Sequence, residues 1–237
     1  VGALSPDRPL SGRRGRQRRD GDRAAWREDG RATAPLIERM IEDSKRGPRV
    51  LISDEVYEHM VFDGQLHHSM ARSKTLAAQS VLVSSFGKTV HTTGWKIGYV
   101  AAPKELMIEF RKVHQFMVFV VNHPLQLALA DFLKDSANYL ELKNFYQSKS
   151  DLFLNLTSSS KLIPLKTSGT YFQLMSYKNI SDENDREIAI RLTKEKRLAT
   201  IPLSVFYSQK IDNKVLRFCF AKTDETLMKA AEIICKL

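Results

Sequence analysis

Residues 84–89 read Ser84-Ser85-Phe86-Gly87-Lys88-Thr89, and they follow the apolar run Val81-Leu82-Val83, which predicts a short strand over 80–84. Lys88 therefore stands just past the end of a strand, beside a glycine that allows backbone close to a ligand. A lysine amine that is desolvated, or lies near another charge, can form a Schiff base with an aldehyde. The segment makes Lys88 a candidate nucleophile, although solvated loop lysines occur in similar sequences.

The flanking segments predict an α/β unit around this lysine. Residues 50–53 form a short apolar run that ends in Ser53-Asp54-Glu55, and 97–102 predict a third strand that stops at Pro103. The glycine- and hydroxyl-rich stretch 86–95 predicts a loop. Polar residues thus follow the strand ends, which is where open α/β sheets bind ligands.

Several of these polar side chains have a chemistry that suits one ligand. A buried carboxylate at Asp54 needs a charged partner, and a protonated pyridine nitrogen is such a partner. Tyr57 could donate to the phenolic oxygen of that ring, Lys96 could hold a phosphate, and Ser85 offers a hydroxyl near the same place. The alternative for Ser53 or Asp54 is a helix N-cap before 55–57, and local sequence does not separate the two.

The rest of the chain predicts a helical region followed by a smaller α+β unit. Amphipathic patterns indicate helices over 105–121, 124–134, 139–158, 186–195 and 225–237, and strands over 170–175 and 215–221. Pro35 fits the first turn of another helix, over 35–46.

Composition is that of a globular protein, with 43% hydrophobic and 27% charged residues in a chain of 237. No run of about 18 apolar residues is present, so we expect no membrane span and no secretory signal. Cys219 and Cys235 are expected to be buried free thiols. The histidines at 59, 67 and 68 have no partner at metal-ligand spacing, so we predict that they are loop or surface residues and that there is no metal site.

Residues 1–33 differ sharply from the rest. They contain nine arginines, five acidic residues and no lysine, and they contribute part of the net charge of +10. Few apolar groups are available to offset chain entropy, so we expect disorder. A solvated tail is favoured over a basic arm for nucleic acid, and a segment unrelated to the remainder is a third alternative.

Three motifs in order resemble a known family. They are Ser53-Asp54-Glu55-Val56-Tyr57-Glu58, the segment 84–89, and Thr93-Gly94-Trp95-Lys96-Ile97-Gly98-Tyr99. Over 35–237 the chain resembles class I/II aminotransferases of the pyridoxal-phosphate (PLP) fold type I. Lys96 resembles the kynurenine, glutamine and methionine aminotransferase branch, and the segments 201–206 and 216–222 resemble bacterial methionine aminotransferases in particular.

The resemblance implies a role for each matching residue. Lys88 would form the internal aldimine with PLP and move the substrate proton. The other implied contacts are Asp54 with the pyridine nitrogen, Tyr57 with the ring oxygen, Ser85 and Lys96 with the phosphate, and Arg217 with the substrate α-carboxylate. Phe119 would line the side-chain pocket. The alternatives are a strand-edge surface arginine for Arg217 and core packing for Phe119. Residues 169–172 resemble a strand near the substrate, and their aromatics could equally be core.

The implied architecture is a partial large domain with a mostly parallel sheet, plus a small α+β C-terminal domain. We expect a separate segment over 1–33 and the partial large domain over 34–103. Connecting helices are expected over 104–160 and the small C-terminal domain over 161–237. The family's N-terminal region, with its phosphate loop and ring-stacking aromatic, has no counterpart here. We therefore expect a truncated or spliced chain with weak or absent activity alone.

The implied function is transfer of an amino group from methionine, or an aromatic or glutamine-like amino acid, to a 2-oxo acid. A cytoplasmic homodimer is expected. The alternatives are a carbon–sulfur lyase of the same fold, a non-catalytic fragment and, ranked last, a nucleic-acid binder.

Overall fold

The computed structural model describes residues 41, 42 and 50–237. The segment 1–33, for which disorder is predicted, lies outside the described residues. Of the helix predicted over 35–46, only Ile41 and Glu42 are described, and both are helical.

The first sheet has three strands: β1 (Leu51–Asp54), β2 (Ser80–Ser85) and β3 (Gly98–Ala101). β1 and β2 are parallel, and the crossover between them includes the short helix α1 (Lys74–Ala77). β3 returns antiparallel to β2, so the three described strands form a mixed sheet. The expectation of a mostly parallel sheet therefore holds for the β1–β2 pair only. The twelve residues between β2 and β3 build local turns instead of a crossover helix on the sheet face.

The segment 86–95, predicted to be a loop, contains the one-turn helix α2 (Phe86–Thr89) and a 3₁₀ turn at Thr93–Trp95. Ser85 caps α2, since its hydroxyl accepts a 3.2 Å hydrogen bond from the Gly87 amide. This cap satisfies a free N–H group at the start of the helix. Lys88 is therefore held on a helical turn directly after β2.

A helical region follows, with α3 (Lys104–Met117), α4 (His123–Phe132), α5 (Ala137–Leu140) and α6 (Leu142–Leu156). Asn122 caps α4 by accepting from the Leu125 amide, and Pro124 lies in the first turn. The helix predicted over 139–158 is broken at Glu141. Leu129 packs with Val90 and Ile97 in a small core beside the segment of Lys88.

The second sheet is antiparallel and has the strand order β4-β5-β7-β6. Its strands are β4 (Ile163–Pro164), β5 (Phe172–Ser176), β6 (Ile201–Pro202) and β7 (Val215–Cys219). Helices α7 (Asp185–Lys196) and α8 (Asp224–Ile234) complete this α+β unit. A capping box between Asn184 and Glu187 begins α7, and Leu216, Phe218, Ile188 and Leu227 lie in the main core.

The segment after β1 ties the two sheets together. The Thr170 amide donates to the Met60 carbonyl at 2.8 Å, and the Phe62 amide donates to the Ser168 carbonyl at 2.9 Å. Met60 and Phe62 are buried in the same core as the second sheet. The domain boundaries at 103 and 160 stay predictions, and the residue contacts here cross both of them.

The two cysteines lie at the surface of the protein. Cys219 and Cys235 are free but exposed, so the expectation of buried thiols was wrong. Cys219 alternates with the buried Phe218 on β7, and its side chain points to the other face of the strand. Within residues 50–237, the helices lack the length and apolarity needed to cross a bilayer.

Candidate active site

Lys88 lies at an open cavity of about 340 Å³ between the end of β2 and the start of β3. The residues that line it are Ser85, Gly87, Lys88, Thr93, Lys96, Ile97 and Gly98. Lys96 has a left-handed backbone with φ of 56°, which places it where the chain turns back into β3. The cavity therefore brings together three of the predicted site residues, namely Lys88, Ser85 and Lys96.

The Lys88 amine has a hydrogen-bond partner that the sequence did not identify. Its Nζ donates to the Tyr171 hydroxyl at 2.7 Å and lies 5.1 Å from the centroid of that ring. Tyr171 is half-buried and precedes β5, so the bond connects the two sheets across 83 positions of sequence. The only advance signal was the resemblance of residues 169–172 to a strand near the substrate.

Tyr57 stands next to Tyr171, with ring centroids 5.5 Å apart in an edge-to-face arrangement. Burial raises the pKa of Tyr57, and donation of its hydroxyl to Tyr171 raises that pKa further. The Asp54 carboxylate also raises the Tyr57 pKa, whereas Arg217 lowers it. Tyr57 thus stays a neutral hydrogen-bond donor and feels the charges of two other predicted site residues.

Asp54 ends β1, next to Val83 of β2, so it shares the carboxyl edge of the sheet with the Lys88 segment. Its side chain is exposed and accepts a 3.2 Å hydrogen bond from the Val56 amide. A buried position had been expected. The alternative role, a helix N-cap, is close to the observed one, because the Asp54 side chain does accept from a following backbone amide. However, residues 56–59 form turns and not a helix. The carboxylate leaves further lone pairs open to solvent.

Acidic and hydroxyl side chains form a hydrogen-bond network next to the carboxyl end of β1. The Glu55 carboxylate is buried and accepts from the His67 ring at 2.9 Å and the Met70 amide at 3.0 Å. Burial raises the Glu55 pKa, but the hydrogen bonds from His67, Ser69, Met70 and Ser53 lower it more, to about 2. His67 lies in a loop, and its ring has a carboxylate partner that its spacing in the sequence did not indicate.

Glu58 forms the second half of this network. It accepts hydrogen bonds from the Ser84 hydroxyl at 3.0 Å and from the Tyr99 hydroxyl. Burial, together with the bond to Glu58, raises the pKa of Tyr99 to about 12. The end of β1 is thereby tied to β2 and β3, and the backbone around Ser85 is braced.

Arg217 lies on β7, an interior strand between β5 and β6, and it is half-buried. The alternative of a strand-edge surface arginine was therefore wrong. Its guanidinium lies 4.7 Å from the Phe172 ring centroid and 5.4 Å from that of Phe206. A guanidinium that stacks on rings through its face keeps its N–H edges for a carboxylate.

Phe119 occupies the turn between α3 and α4, with a left-handed φ of 64°. It is 81% exposed, so the core-packing alternative was wrong. Phe116 and Met117 beside it are exposed as well. The structure gives no contact between Phe119 and the cavity of Lys88.

Comparison with known proteins gives this arrangement a context. The family model for class I and II aminotransferases matches residues 31–234. The chain belongs to that family. Members depend on PLP.

Relatives of this aminotransferase-family chain include methionine aminotransferase of Escherichia coli K12, which is 47% identical over 188 residues, covering 79% of this chain and 49% of the relative. Kynurenine–oxoglutarate transaminase of Dictyostelium discoideum is 36% identical, covering 82% of this chain and 50% of the relative. The chain therefore spans about half the length of these relatives.

Solved structures agree on the fold, which is PLP fold type I. The structure of an E. coli protein with methionine aminotransferase function has a TM-score of 0.83 at 44% identity, covering 86% of this chain and 54% of that one. The N-succinyldiaminopimelate aminotransferase of Mycobacterium tuberculosis has a TM-score of 0.80 at 29% identity, with the same coverage of both chains.

The donor set at the cavity fits PLP. Two amines and two hydroxyls line it, and no carboxylate of the described part of the chain is among the lining residues. Such a set suits a phosphate anion together with an aldehyde, because ammonium groups and backbone amides attract the phosphate while an amine reacts with the aldehyde. In the same described ranges, no cluster of three or more histidine, cysteine or acidic residues could hold a metal.

Proposed function

We propose that the chain carries the nucleophile and part of the cofactor site of a PLP-dependent aminotransferase. The observation that supports this most directly is the Lys88 amine in one cavity with Ser85 and Lys96, at the carboxyl edge of the sheet. The reaction proposed for the whole enzyme is transfer of an amino group from an amino acid to a 2-oxo acid.

PLP, when bound, supplies an aldehyde and an electron-withdrawing ring. Lys88 would supply the amine that condenses with that aldehyde, with release of water, and would move a proton at the substrate α-carbon. Ser85 and Lys96, which line the cavity, would hold the phosphate. Asp54 would pair with the protonated ring nitrogen, and Tyr57 would donate to the ring oxygen. Support for the last two roles comes from their shared edge and from the charge of Asp54 acting on Tyr57.

Arg217 binds the substrate α-carboxylate in this proposal. Its charge acts on Tyr57, and Tyr57 contacts Tyr171, which accepts from Lys88, so these four side chains border one region. Phe119 is retained as a proposed wall of the side-chain pocket, on the resemblance alone.

For the donor we propose methionine or an aromatic amino acid, since relatives act on methionine or kynurenine by name. We also propose a homodimer in the cytoplasm. A carbon–sulfur lyase of the same fold would use the same Lys88 chemistry. Product analysis separates the two, because a lyase releases ammonia and a thiol whereas an aminotransferase requires an acceptor 2-oxo acid.

The test is reductive trapping. The full chain is incubated with PLP, reduced with borohydride and mapped by peptide mass spectrometry, which detects weak binding as well as tight binding. We expect the phosphopyridoxyl group on Lys88, none at that position in Lys88→Ala, and unchanged trapping in the surface variant Lys134→Ala. Even labelling over many lysines, with no preference for Lys88, would sink the proposal.

A further inference from the structure

The Tyr171 side chain contacts two residues of the proposed site. Lys88 Nζ donates to its hydroxyl at 2.7 Å, and the ring of Tyr57 packs against its ring at a centroid distance of 5.5 Å. Burial raises the Tyr171 pKa, but the donations from Lys88 and from Tyr57 lower it more, so its pKa lies below the ordinary value. The Tyr171 oxygen is thus the hydrogen-bond acceptor that the Lys88 amine contacts, at a short donor–acceptor distance.

The backbone that carries Tyr171 is fixed from both sides. Gly169 forms a β-bridge with Val61, and a Cβ at Gly169 would lie 2.6 Å from the Met60 carbonyl oxygen. Thr170 next to it has a left-handed φ of 75° and donates its amide to Met60. This close pairing leaves little freedom for the position from which the Tyr171 ring extends.

The Tyr171 ring is also packed on its faces and edges. It contacts the rings of Tyr57, Phe172 and Tyr146 at centroid distances of 5.5, 6.0 and 6.1 Å. Tyr146 is buried in the main core, and its own hydroxyl lies 3.3 Å from the His91 ring nitrogen. The phenol is thus a rigid group aimed at the amine of Lys88, supplied by the second sheet to the first.

We propose that Tyr171 is a positioning residue, which directs the side-chain nitrogen of Lys88 by accepting its hydrogen bond whenever that nitrogen is not bonded to an aldehyde. This inference rests on the proposed function, because it concerns the nucleophile of that reaction. In this role Tyr171 accepts a hydrogen bond from the nitrogen and contacts neither substrate nor cofactor. It also makes the geometry of Lys88 depend on the second sheet, which lies 83 residues further along the chain.

The experiment measures the reactivity of Lys88 in the full chain without any cofactor. Trace labelling with isotopic acetic anhydride at pH 7 reads only unprotonated amines, and mass spectrometry gives the rate at each lysine. In Tyr171→Phe the ring remains, but the hydroxyl that accepts from Lys88 is lost. We therefore expect the labelling rate of Lys88, measured relative to that of Lys96 in the same sample, to rise about threefold. A rise of this size corresponds to a modest share of the free energy of a hydrogen bond to a charged group.

Tyr146→Phe is the matched control, because it removes a hydroxyl from the adjacent ring and leaves the Lys88 bond in place. We expect its Lys88 rate to equal that of the unsubstituted chain. Circular dichroism confirms that both variants are folded before labelling. An unchanged or lower Lys88 rate in folded Tyr171→Phe would overturn the proposal, as would an equal rise in both variants.

A second arm separates this proposal from the proposed function. Reductive trapping with PLP reports whether Lys88 is the cofactor lysine, whereas anhydride labelling reports the Tyr171 contact alone. If trapping misses Lys88 but labelling changes in Tyr171→Phe, the contact stands and the aminotransferase role falls. If trapping selects Lys88 and labelling does not change, the positioning role alone is wrong.

Discussion

The ring of His67 and the carboxylate of Glu55 are joined by a 2.9 Å hydrogen bond directly behind the carboxyl end of β1. Glu55 is only 7% exposed, and its second oxygen accepts from the Ser53 hydroxyl and the Met70 amide. A buried carboxylate with this many donors is stabilised in its charged form. The neighbouring Asp54 therefore stands on a strand end whose backbone is held by a charged and fully bonded glutamate.

The Glu55 network predicts a loss of stability in acid. The folded-state pKa of about 2 lies below the ordinary value of 4.5, so its contribution is complete above pH 4.5 and disappears as the pH falls toward 2. We expect Glu55→Gln to lower the free energy of unfolding by about 2 kcal/mol at pH 7. Urea titrations at pH 7, 4 and 2.5 should show the gap to the parent chain shrinking with pH. A gap that stays constant across this range would contradict the argument.

The acid prediction has an internal control. Arg191 and then Ser181 lower the pKa of Glu183 to about 2 as well, through hydrogen bonds in the second sheet unit. Glu183 is present in both the parent chain and the Glu55→Gln variant. Its pH dependence therefore cancels when the free energy of unfolding of one is subtracted from that of the other. Only a change local to Glu55 remains in the difference.

Gly98 gives a test of how β3 closes the cavity. A Cβ on Gly98 would lie 2.5 Å from the Ser84 carbonyl oxygen, in the β2–β3 pair beside Ser85. We expect Gly98→Ala to destabilise the chain by about 2 kcal/mol, because backbone has to shift. Gly94→Ala is the matched variant, since a Cβ there meets nothing within 4 Å, and its unfolding midpoint should stay close to that of the parent. Equal midpoints for the two variants would contradict the close approach.

The elements that the sequence predicts well are those with strong local signals. The apolar run at 81–83 and the polar residues after it placed β2 and Lys88, because strand and turn chemistry are both local. The antiparallel return of β3 was missed, since direction depends on how a short connection folds and not on the apolar pattern of the strand. The bounds of α3, α4 and α7 came within a few residues.

The contacts of the site were harder to predict from the sequence than the helices and strands. Ser85 and Lys96 meet Lys88 because they are close in sequence to one turn. The Tyr171 contact depends on the pairing of 60–62 with 168–170, which no local pattern reveals. His67 was overlooked for a similar reason, since its acid partner lies twelve residues away across a turn. The roles assigned by resemblance to Asp54, Tyr57, Arg217 and Phe119 stay predictions.

Lys96 provides a test that isolates the phosphate. We expect Lys96→Gln to weaken PLP binding about tenfold, the order expected for one charge-assisted hydrogen bond, and to leave binding of pyridoxal, which has no phosphate, nearly unchanged. Absorbance titrations with both aldehydes measure this directly, and Lys134→Gln removes the same charge from an exposed pair with Asp131. Equal losses for the two aldehydes in Lys96→Gln would show that the lysine does not serve the phosphate.

Arg217 permits the same kind of comparison on the substrate side. Its guanidinium lies over the rings of Phe172 and Phe206, with its carbon 4.7 and 5.4 Å from their centroids. Lysine keeps the charge but loses both the planar fork and the ring stacking, so Arg217→Lys should weaken methionine binding to the PLP-loaded chain about tenfold. The corresponding amine without a carboxylate, 3-(methylthio)propylamine, should bind the variant and the parent alike in spectral titrations. Arg191→Lys, in the ion pair with Glu183, changes an arginine elsewhere in the same unit and should alter neither affinity. If Arg217→Lys weakened the amine as much as methionine, the guanidinium would be acting on the fold and not on the carboxylate.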